Sequence, residues 1–336
     1  MAVSNAQLPD SLALLALACE RLGYTFSLID TFSAYLAEVS NGSKCFLAGE
    51  GSVSCYPLNS ASALAVARDK AHTYSLLRHH NIAIPHTGHF FITSRYSTLR
   101  PKGREFGEAL DFADQIGYPV FVKPNSGGGA RNASIAYERN TLIYILQAIA
   151  EHDHIAIIQE YLTSTEYRFF AVDGEIEFGY SKRRPVIIGD GTSTVRELLS
   201  EVYNPPDVQD DIFDVARERF LEEQCAQKGL ILDSVLPSDE TLVLSPTRRN
   251  VLAGGPIDRY FRSFSPKTRT WIRSLASIVQ LRVMGIDLFA EEGIDDPSTF
   301  KVIEVNGTPF LSTLYDSGRT EEAISIWDKI LQLYFG

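Results

Sequence analysis

The segment from Gly117 to Ala136 constrains the fold of this chain more than any other. Its sequence is GYPVFVKPNSGGGARNASIA. An apolar run over Pro119–Val122 predicts a β-strand that delivers Lys123 to a glycine-rich loop, and a second apolar run, Ala133–Ala136, follows the loop. Glycines let backbone N–H groups approach phosphate oxygens, and a lysine adds a mobile positive charge. We therefore predict a β-hairpin that covers a polyphosphate, with an ordinary glycine-rich hairpin tip as the alternative.

The candidate phosphate contacts of this loop are its three consecutive glycines, Gly127, Gly128 and Gly129. The loop is not a Walker motif, because no Gly-Lys-Ser/Thr follows, and it lacks the G-x-G-x-x-G dinucleotide pattern. A second lysine, Lys70, follows Asp69, which can cap a helix that ends near His80. Lys70 would then lie at a helix N-terminus, where anions are favoured.

A polar segment closes the predicted buried strand over Ile155–Gln159. It consists of Gln159, Glu160, Tyr161 and Leu162. A strand that runs into a loop in this way can present backbone N–H and C=O groups to a purine edge. Glu166, a few residues further on, can accept hydrogen bonds from ribose hydroxyls. An ordinary strand end at the surface is the alternative.

Two carboxylates and an amide mark the C-terminal part of the chain. Asp287 lies on one predicted strand, and Glu304 and Asn306 share a face of the next, because side chains alternate along a strand. Three oxygen ligands between adjacent strands suit Mg²⁺ (or Mn²⁺) that bridges phosphates. Glu291 or Glu292 could replace Asp287, and a strand that turns these side chains to water is the alternative.

A basic set stands out because the chain as a whole is acidic. It consists of Lys182, Arg183, Arg184, Arg248 and Arg249. With 31 basic against 42 acidic residues and a net charge of -11, the chain does not resemble a nucleic-acid binder, yet it can hold a local pocket for an anion. A solvated strand edge is the alternative for this set.

Length and patterning predict an α/β (α+β) chain of three parts. A chain of 336 residues exceeds the usual size of one core. We expect a small α/β domain over 1–85, a central domain over 86–180 in which two antiparallel hairpins form a lid, and a C-terminal α+β domain over 181–336. The dipeptide Asp173-Gly174 predicts the second hairpin. Ser265-Pro266 predicts a helix that continues to Gly285.

The N-terminus and the cysteines predict a cytoplasmic protein. The chain opens without a basic n-region, and its four cysteines form no C-x-x-C pair. We expect small-molecule partners, no nucleic acid and no membrane, and a possible homodimer, the commonest closed assembly.

The order of these features resembles that of the ATP-grasp ligases. The resemblance rests on Lys70 in A-R-D-K, Lys123 in V-K-P, Q-E-Y-L with Glu166, and the terminal Asp…Glu-x-Asn, and it covers about residues 60 to 315. The segments Gly189–Leu198 and Asn250–Asp258 are similar to the ATP-grasp modules of cyanophycin synthetase and bifunctional glutathione synthetases.

The resemblance implies an ATP-grasp fold and an ATP-dependent carboxylate–amine ligase. It implies that Lys70, Lys123 and Lys182 or Arg183 bind phosphate, that the backbones of Glu160 and Leu162 bind adenine, that Glu166 binds ribose, that Asp287, Glu304 and Asn306 bind magnesium, and that Arg249 faces the acylphosphate. The expected substrates are amino acids or small peptides. The alternatives are modification of a ribosomal peptide or protein tail, and an ATP-binding regulatory module without catalysis.

The chain departs from its relatives after Asn306. Where they usually carry a Pro-Gly pair, this chain has Pro309-Phe310. We expect the phenylalanine to narrow or reshape the acceptor side, so the substrate cannot be copied from a relative.

Overall fold

The computed structural model describes residues 8–50, 53–127, 133–182, 186–202, 221–222, 224–244 and 257–336. The chain begins with helix α1 (Asp10–Leu22), which ends at Gly23 with a φ of 73°, a left-handed conformation that glycine adopts readily. Strands β1 (Thr25–Leu28), β2 (Leu36–Ser40) and β3 (Cys45–Gly49) then form an antiparallel sheet in that order.

Two short helices carry the chain toward the predicted phosphate site. Helix α2 (Ala61–Arg68) is capped by Ser60, and helix α3 (Lys70–His79) is capped by Asp69, whose Oδ1 accepts the His72 N–H at 2.8 Å. The predicted cap is confirmed, and Lys70 is the first residue of its helix.

The next part is a four-stranded antiparallel sheet in the order β4-β7-β5-β6. Its strands are β4 (Thr87–Phe91), β5 (Val120–Pro124), β6 (Ser134–Ala136) and β7 (Ile155–Glu160). Helices α4 (Phe106–Ile116) and α5 (Arg139–Ala150) pack on it through an apolar core that includes Leu142, Ile145 and Val122. The glycine-rich segment lies between β5 and β6 in the sequence, and its described start, residues 125–127, directly follows β5.

Seven further strands follow. They are β8 (Thr165–Val172), β9 (Glu175–Lys182), β10 (Val186–Ile188), β11 (Thr241–Val243), β12 (Ile257–Phe261), β13 (Val283–Ala290) and β14 (Lys301–Asn306). Five of them form an antiparallel sheet in the order β12-β9-β8-β13-β14, and β10 pairs with β11 beside helix α6 (Val195–Val202).

The Asp173-Gly174 hairpin forms as predicted, but its position differs from the expectation. Strand β8 pairs with β13 over eight residues, so β8 and β9 belong to the C-terminal sheet. The prediction that the two hairpins share one lid is therefore wrong, because strand pairing is decided by partners distant in sequence. The boundaries at residues 85 and 180 stay a prediction.

Each face of the five-stranded sheet covers a separate core. One face packs on helices α3 and α7 (Pro266–Val279) through residues such as Phe169 and Ile286. The other packs on α1 and the C-terminal helix α9 (Thr320–Phe335), where Trp327 is fully buried. A 3₁₀ turn (Pro297–Thr299) and helix α8 (Ser312–Asp316) lie in the C-terminal part of the chain.

Helix α7 ends earlier than predicted. Its cap, Ser265, is as expected, but the helix stops at Val279 because Gln280 takes a left-handed φ of 57°. Val283, which lies within the predicted helix, instead begins β13. No described helix is both long and apolar enough to cross a membrane.

Candidate functional site

One face of the five-stranded sheet changes from apolar to charged along its strands. Toward α9 it carries Phe170 and Phe178, whose rings stack with centroids 5.2 Å apart. Because directly opposed residues of antiparallel strands share a face, the pairings Asp287↔Arg168 and Asp287↔Glu304 bring three strands together at the other end. The charged end consists of Glu166, Arg168, Lys182, Asp287, Glu304 and Asn306.

Asp287 is the centre of this charged end. Its Oδ1 is 2.9 Å from Lys182 Nζ, and its Oδ2 is 2.9 Å from Arg168 Nη1. Burial acts to raise the pKa of Asp287, but the two cations lower it below its usual range. Burial likewise disfavours the charged form of Lys182, yet Asp287 and Glu166, which lies 2.6 Å from Nζ, raise the lysine pKa. The cluster is therefore ionised on both sides.

The two predicted phosphate lysines converge on Glu304 from different elements. Lys70 Nζ lies 3.8 Å from Glu304 Oε1 and donates to the Gly127 carbonyl at 2.8 Å. Lys123 is 5% exposed, and its Nζ donates to the Tyr74 hydroxyl at 2.8 Å. Burial lowers the Lys123 pKa to about 8, although the charge of Glu304 opposes the shift. Burial also lowers the pKa of Lys70.

The N-terminus of α3 has fewer free backbone N–H groups for a phosphate than the sequence suggested. Asn125, at the start of the glycine-rich loop, accepts the Ala71 N–H on its Oδ1 at 2.7 Å and the Lys70 N–H on its carbonyl at 3.4 Å. Asp69 takes the His72 N–H. Since the first-turn donors are occupied, an anion here would meet the Lys70 ammonium rather than the helix backbone.

The predicted adenine segment leaves β7 as a hinge between the two larger sheets. Gln159 is buried, with its Nε2 donating to Thr87 Oγ1 at 2.8 Å. The Glu160 carboxylate accepts from Lys301 Nζ, the first residue of β14, at 2.7 Å. Tyr161 and Leu162 are half-buried, and among the described residues nothing accepts the Leu162 N–H. A free N–H beside a strand end is what a purine edge requires.

Several predicted residues cannot be located. Gly128, Gly129, Arg183 and Arg249 lie outside the described residues, as do Arg184 and Arg248. Gly127 is described, and its φ of 89° uses the backbone freedom of glycine where the loop turns toward Lys70.

The oxygen ligands predicted for magnesium fit that ion chemically. Asp287 and Glu304 stand directly opposite each other, and the Glu304 side chain is 34% exposed. Asn306 Oδ1 accepts the Thr308 N–H at 2.8 Å and the Thr308 hydroxyl at 3.3 Å, so a metal ion would replace the longer of the two bonds. Glu291 and Glu292 are exposed and follow the end of β13, so Asp287 is the better-placed candidate. The described residues contain no cluster of three or more His, Cys, Asp or Glu side chains arranged for a metal.

Sequence reasoning missed three contributors to this site. Arg168 lies two residues after Glu166 on β8 and therefore shares its face of the strand. The rule that placed Glu304 and Asn306 on one face could have identified Arg168 in the same way. Tyr74 and Asn125 carried no comparable signal, because their roles depend on contacts with residues at least 49 positions away.

Comparison with known proteins bears on the fold. The family model for the carbamoyl-phosphate synthase L chain ATP-binding domain matches residues 95–164. The crystal structure of a bifunctional glutathione synthetase from Pasteurella multocida matches 96% of this chain and 44% of its own, with a TM-score of 0.54 at 17% identity. The chain has the ATP-grasp fold.

Two sequence relatives each match more than half of this chain. Cyanophycin synthetase from Synechocystis is 27% identical over 255 residues, 73% of this chain. The glutathione biosynthesis bifunctional protein of Streptococcus mutans is 29% identical over 201 residues, 56% of this chain. The resemblance inferred from the motifs is thus confirmed. The matches cover 28% and 26% of those two proteins, so the chain spans about a quarter of their length.

Proposed function

We propose that this chain is an ATP- and Mg²⁺-dependent ligase that joins a carboxylate to an amine. The carboxylate takes the γ-phosphoryl group of ATP to give an acylphosphate, and the amine then displaces phosphate to form an amide or peptide bond. The substrates are amino acids or small peptides.

One observation carries the proposal above the others. Two buried lysines from separate elements, Lys70 and Lys123, converge with Lys182 on a pair of opposed carboxylates, Asp287 and Glu304. Burying a cation destabilises a protein unless an anion or a hydrogen-bond acceptor compensates for the lost hydration. Lysines around a pair of oxygen ligands suit a polyphosphate with its metal ion. A purely structural network of ion pairs would not need the partly exposed carboxylate of Glu304.

Each group has a task in such a reaction. Phosphoryl transfer depends on positioning and on neutralising negative charge more than on a protein nucleophile. Lys70, Lys123 and Lys182 would hold phosphate oxygens, and the backbone at Leu162 would hold the adenine. Asp287, Glu304 and Asn306 would hold the magnesium, which neutralises phosphate charge when bound.

The direct test is release of ADP and phosphate. The protein would be mixed with Mg-ATP and a library of amino acids and dipeptides, and the product mixture analysed by mass spectrometry. A product whose mass is the sum of the two substrate masses less one water is expected. If ATP binds and no carboxylate–amine pair supports turnover, the proposal fails.

We predict that Lys123→Ala or Glu304→Ala lowers turnover by ~100-fold or more, because each removes one charge-stabilising group. Steady-state ADP release would measure the loss. Lys329→Ala is the matched control. Lys329 Nζ forms an ion pair with Glu177 Oε1 at 2.5 Å, and this pair lies outside the charged end. A loss of only a few-fold in both site variants would mean that the site lies elsewhere.

A further inference from the structure

Tyr74 connects the elements of the candidate phosphate site through a single hydroxyl group. It lies one helical turn after Lys70 on α3 and is 1% exposed. The hydroxyl accepts from Lys123 Nζ at 2.8 Å and donates to the carbonyl of Ile303, which precedes Glu304 on β14. Helix α3, strand β5 and strand β14 therefore meet at this atom.

The hydroxyl both donates and accepts a hydrogen bond. A tyrosine hydroxyl has one proton to donate and two lone pairs. The Ile303 carbonyl takes the proton, and Lys123 takes one lone pair. Burial, with the negative charge of Glu304, raises the Tyr74 pKa, so the hydroxyl keeps its proton. The direction of each bond is thereby set.

Lys123 depends on this contact for its position. Among the described residues, Tyr74 Oη is the sole atom that accepts a hydrogen bond from Lys123 Nζ. The carboxylates of Glu304, Glu166 and Asp287 favour the lysine charge at longer range but supply no hydrogen bond to it there. Without the hydroxyl, the flexible four-carbon side chain of Lys123 could turn toward Glu304. The lysine would then no longer be available to bind a phosphate.

We propose that Tyr74 is a positioning residue that holds Lys123 at a fixed place relative to Glu304, so that the lysine is ready to bind a phosphate. The inference rests on the proposed function for the identity of the anion. It does not depend on the acceptor or on the bond formed.

A double-mutant cycle separates positioning from a general structural role. The four proteins are the parent, Tyr74→Phe, Lys123→Ala and the double variant, each compared for kcat/KM with ATP. Tyr334→Phe is the matched control, because the Tyr334 hydroxyl also donates to a carbonyl, that of Cys45 at 3.1 Å, away from the charged end.

If Tyr74 acts through Lys123, Tyr74→Phe lowers kcat/KM about tenfold in the parent, the loss of one hydrogen bond to a charged group. The same change has less than about a twofold effect when Lys123 is already alanine. Tyr334→Phe leaves kcat/KM unchanged. An equal loss in both backgrounds, or no loss in the parent, overturns the proposal.

Two further readouts keep this result apart from that of the ligase assay. ATP affinity by calorimetry follows the same cycle and requires no acceptor, so non-additive affinities support the inference even if no bond is formed. If the parent binds no ATP, the proposed function has failed. The urea midpoints of the four proteins then report whether Tyr74 and Lys123 are coupled. Additive midpoints overturn the inference, and non-additive midpoints support it.

Discussion

At the level of single residues, Lys123 shows how burial and charge compete. The ammonium group is almost enclosed, and three carboxylates nearby do not compensate for the lost hydration, so its pKa falls from 10.5 to about 8. Lys182, enclosed to a similar degree, has its pKa raised, because Asp287 and Glu166 contact it directly. Direct contact with carboxylates, rather than burial alone, thus distinguishes the two lysines.

This shift predicts a pH dependence for ATP use. Since kcat/KM reports the free enzyme, it should be flat below pH 8 and fall above it, as Lys123 loses the proton that binds phosphate. Steady-state rates between pH 6.5 and about 9.5 would show the fall. Lys123→Arg stays charged and should remove it. A parent profile that stays flat to the upper limit would contradict the assignment.

The lowered pKa of Lys123 also sets how the free energy of unfolding changes with pH. Because the folded-state pKa lies below the unfolded one, the unfolded chain binds more protons between pH 8 and 10.5. The contribution of Lys123 to the free energy of unfolding therefore rises with pH across this window.

At the level of elements, Asn125 joins the end of β5 to the start of α3. It is buried, accepts the Ala71 N–H at 2.7 Å and donates its own N–H to the Ile155 carbonyl at 3.0 Å. The next residue, Ser126, donates both its N–H and its hydroxyl to Asp153, at 2.8 and 2.7 Å. The described start of the glycine-rich loop is therefore anchored on two sides, close to both phosphate lysines.

We predict that Asn125→Ala lowers the free energy of unfolding by about 1–3 kcal/mol, because the Ala71 N–H loses a buried acceptor. Urea unfolding would measure the change. ATP affinity should weaken with it, because the loop loses the side-chain bond to Ala71 that holds the start of α3, where Lys70 lies. Asn125→Asp keeps an oxygen at Oδ1 and should recover most of the stability. Equal losses in both variants would show that the acceptor is not the cause.

Element prediction succeeded where the signal is local. The Asp69 cap, the Asp173-Gly174 turn and the Ser265 cap each act within four residues, and each appears in the structure. It failed where distant partners decide. Helix α7 stops at Gln280 because the chain must turn to enter a central strand, although Val283 continues the helical spacing.

At the level of the whole molecule, the candidate nucleotide site lies where the two larger sheets meet. Glu160 at the end of β7 pairs with Lys301 at the start of β14, and Tyr74 links Lys123 of one sheet to Ile303 of the other. A ligand that contacts Lys123, Leu162 and Glu304 together would bind both sheets at once. Ligand binding and the stability of the whole chain are therefore coupled.

We predict that Mg-ATP raises the melting temperature of the chain. At a ligand concentration of about 100 Kd the stabilisation is ~2.7 kcal/mol. Differential scanning calorimetry with ATP, with and without EDTA, would measure it. Removal of magnesium should reduce the rise in melting temperature of the parent. It should have much less effect on Glu304→Ala, which lacks one of the proposed metal-binding side chains. The same shift with and without EDTA in the parent would contradict the metal assignment.

Short-range pattern predicted many of the elements and most candidate site residues, but not the end of α7 or the sheet to which β8 and β9 belong. Alternation along a strand puts Glu304 and Asn306 on one face, and a capping aspartate puts Lys70 at a helix start, whatever the rest of the chain does. The tertiary structure alone decided that β8 lies beside β13, that Arg168 and Lys182 share Asp287, and that Tyr74 holds Lys123. The reason is physical: these contacts join residues from 49 to 125 positions apart. Their geometry exists only once both sheets have formed.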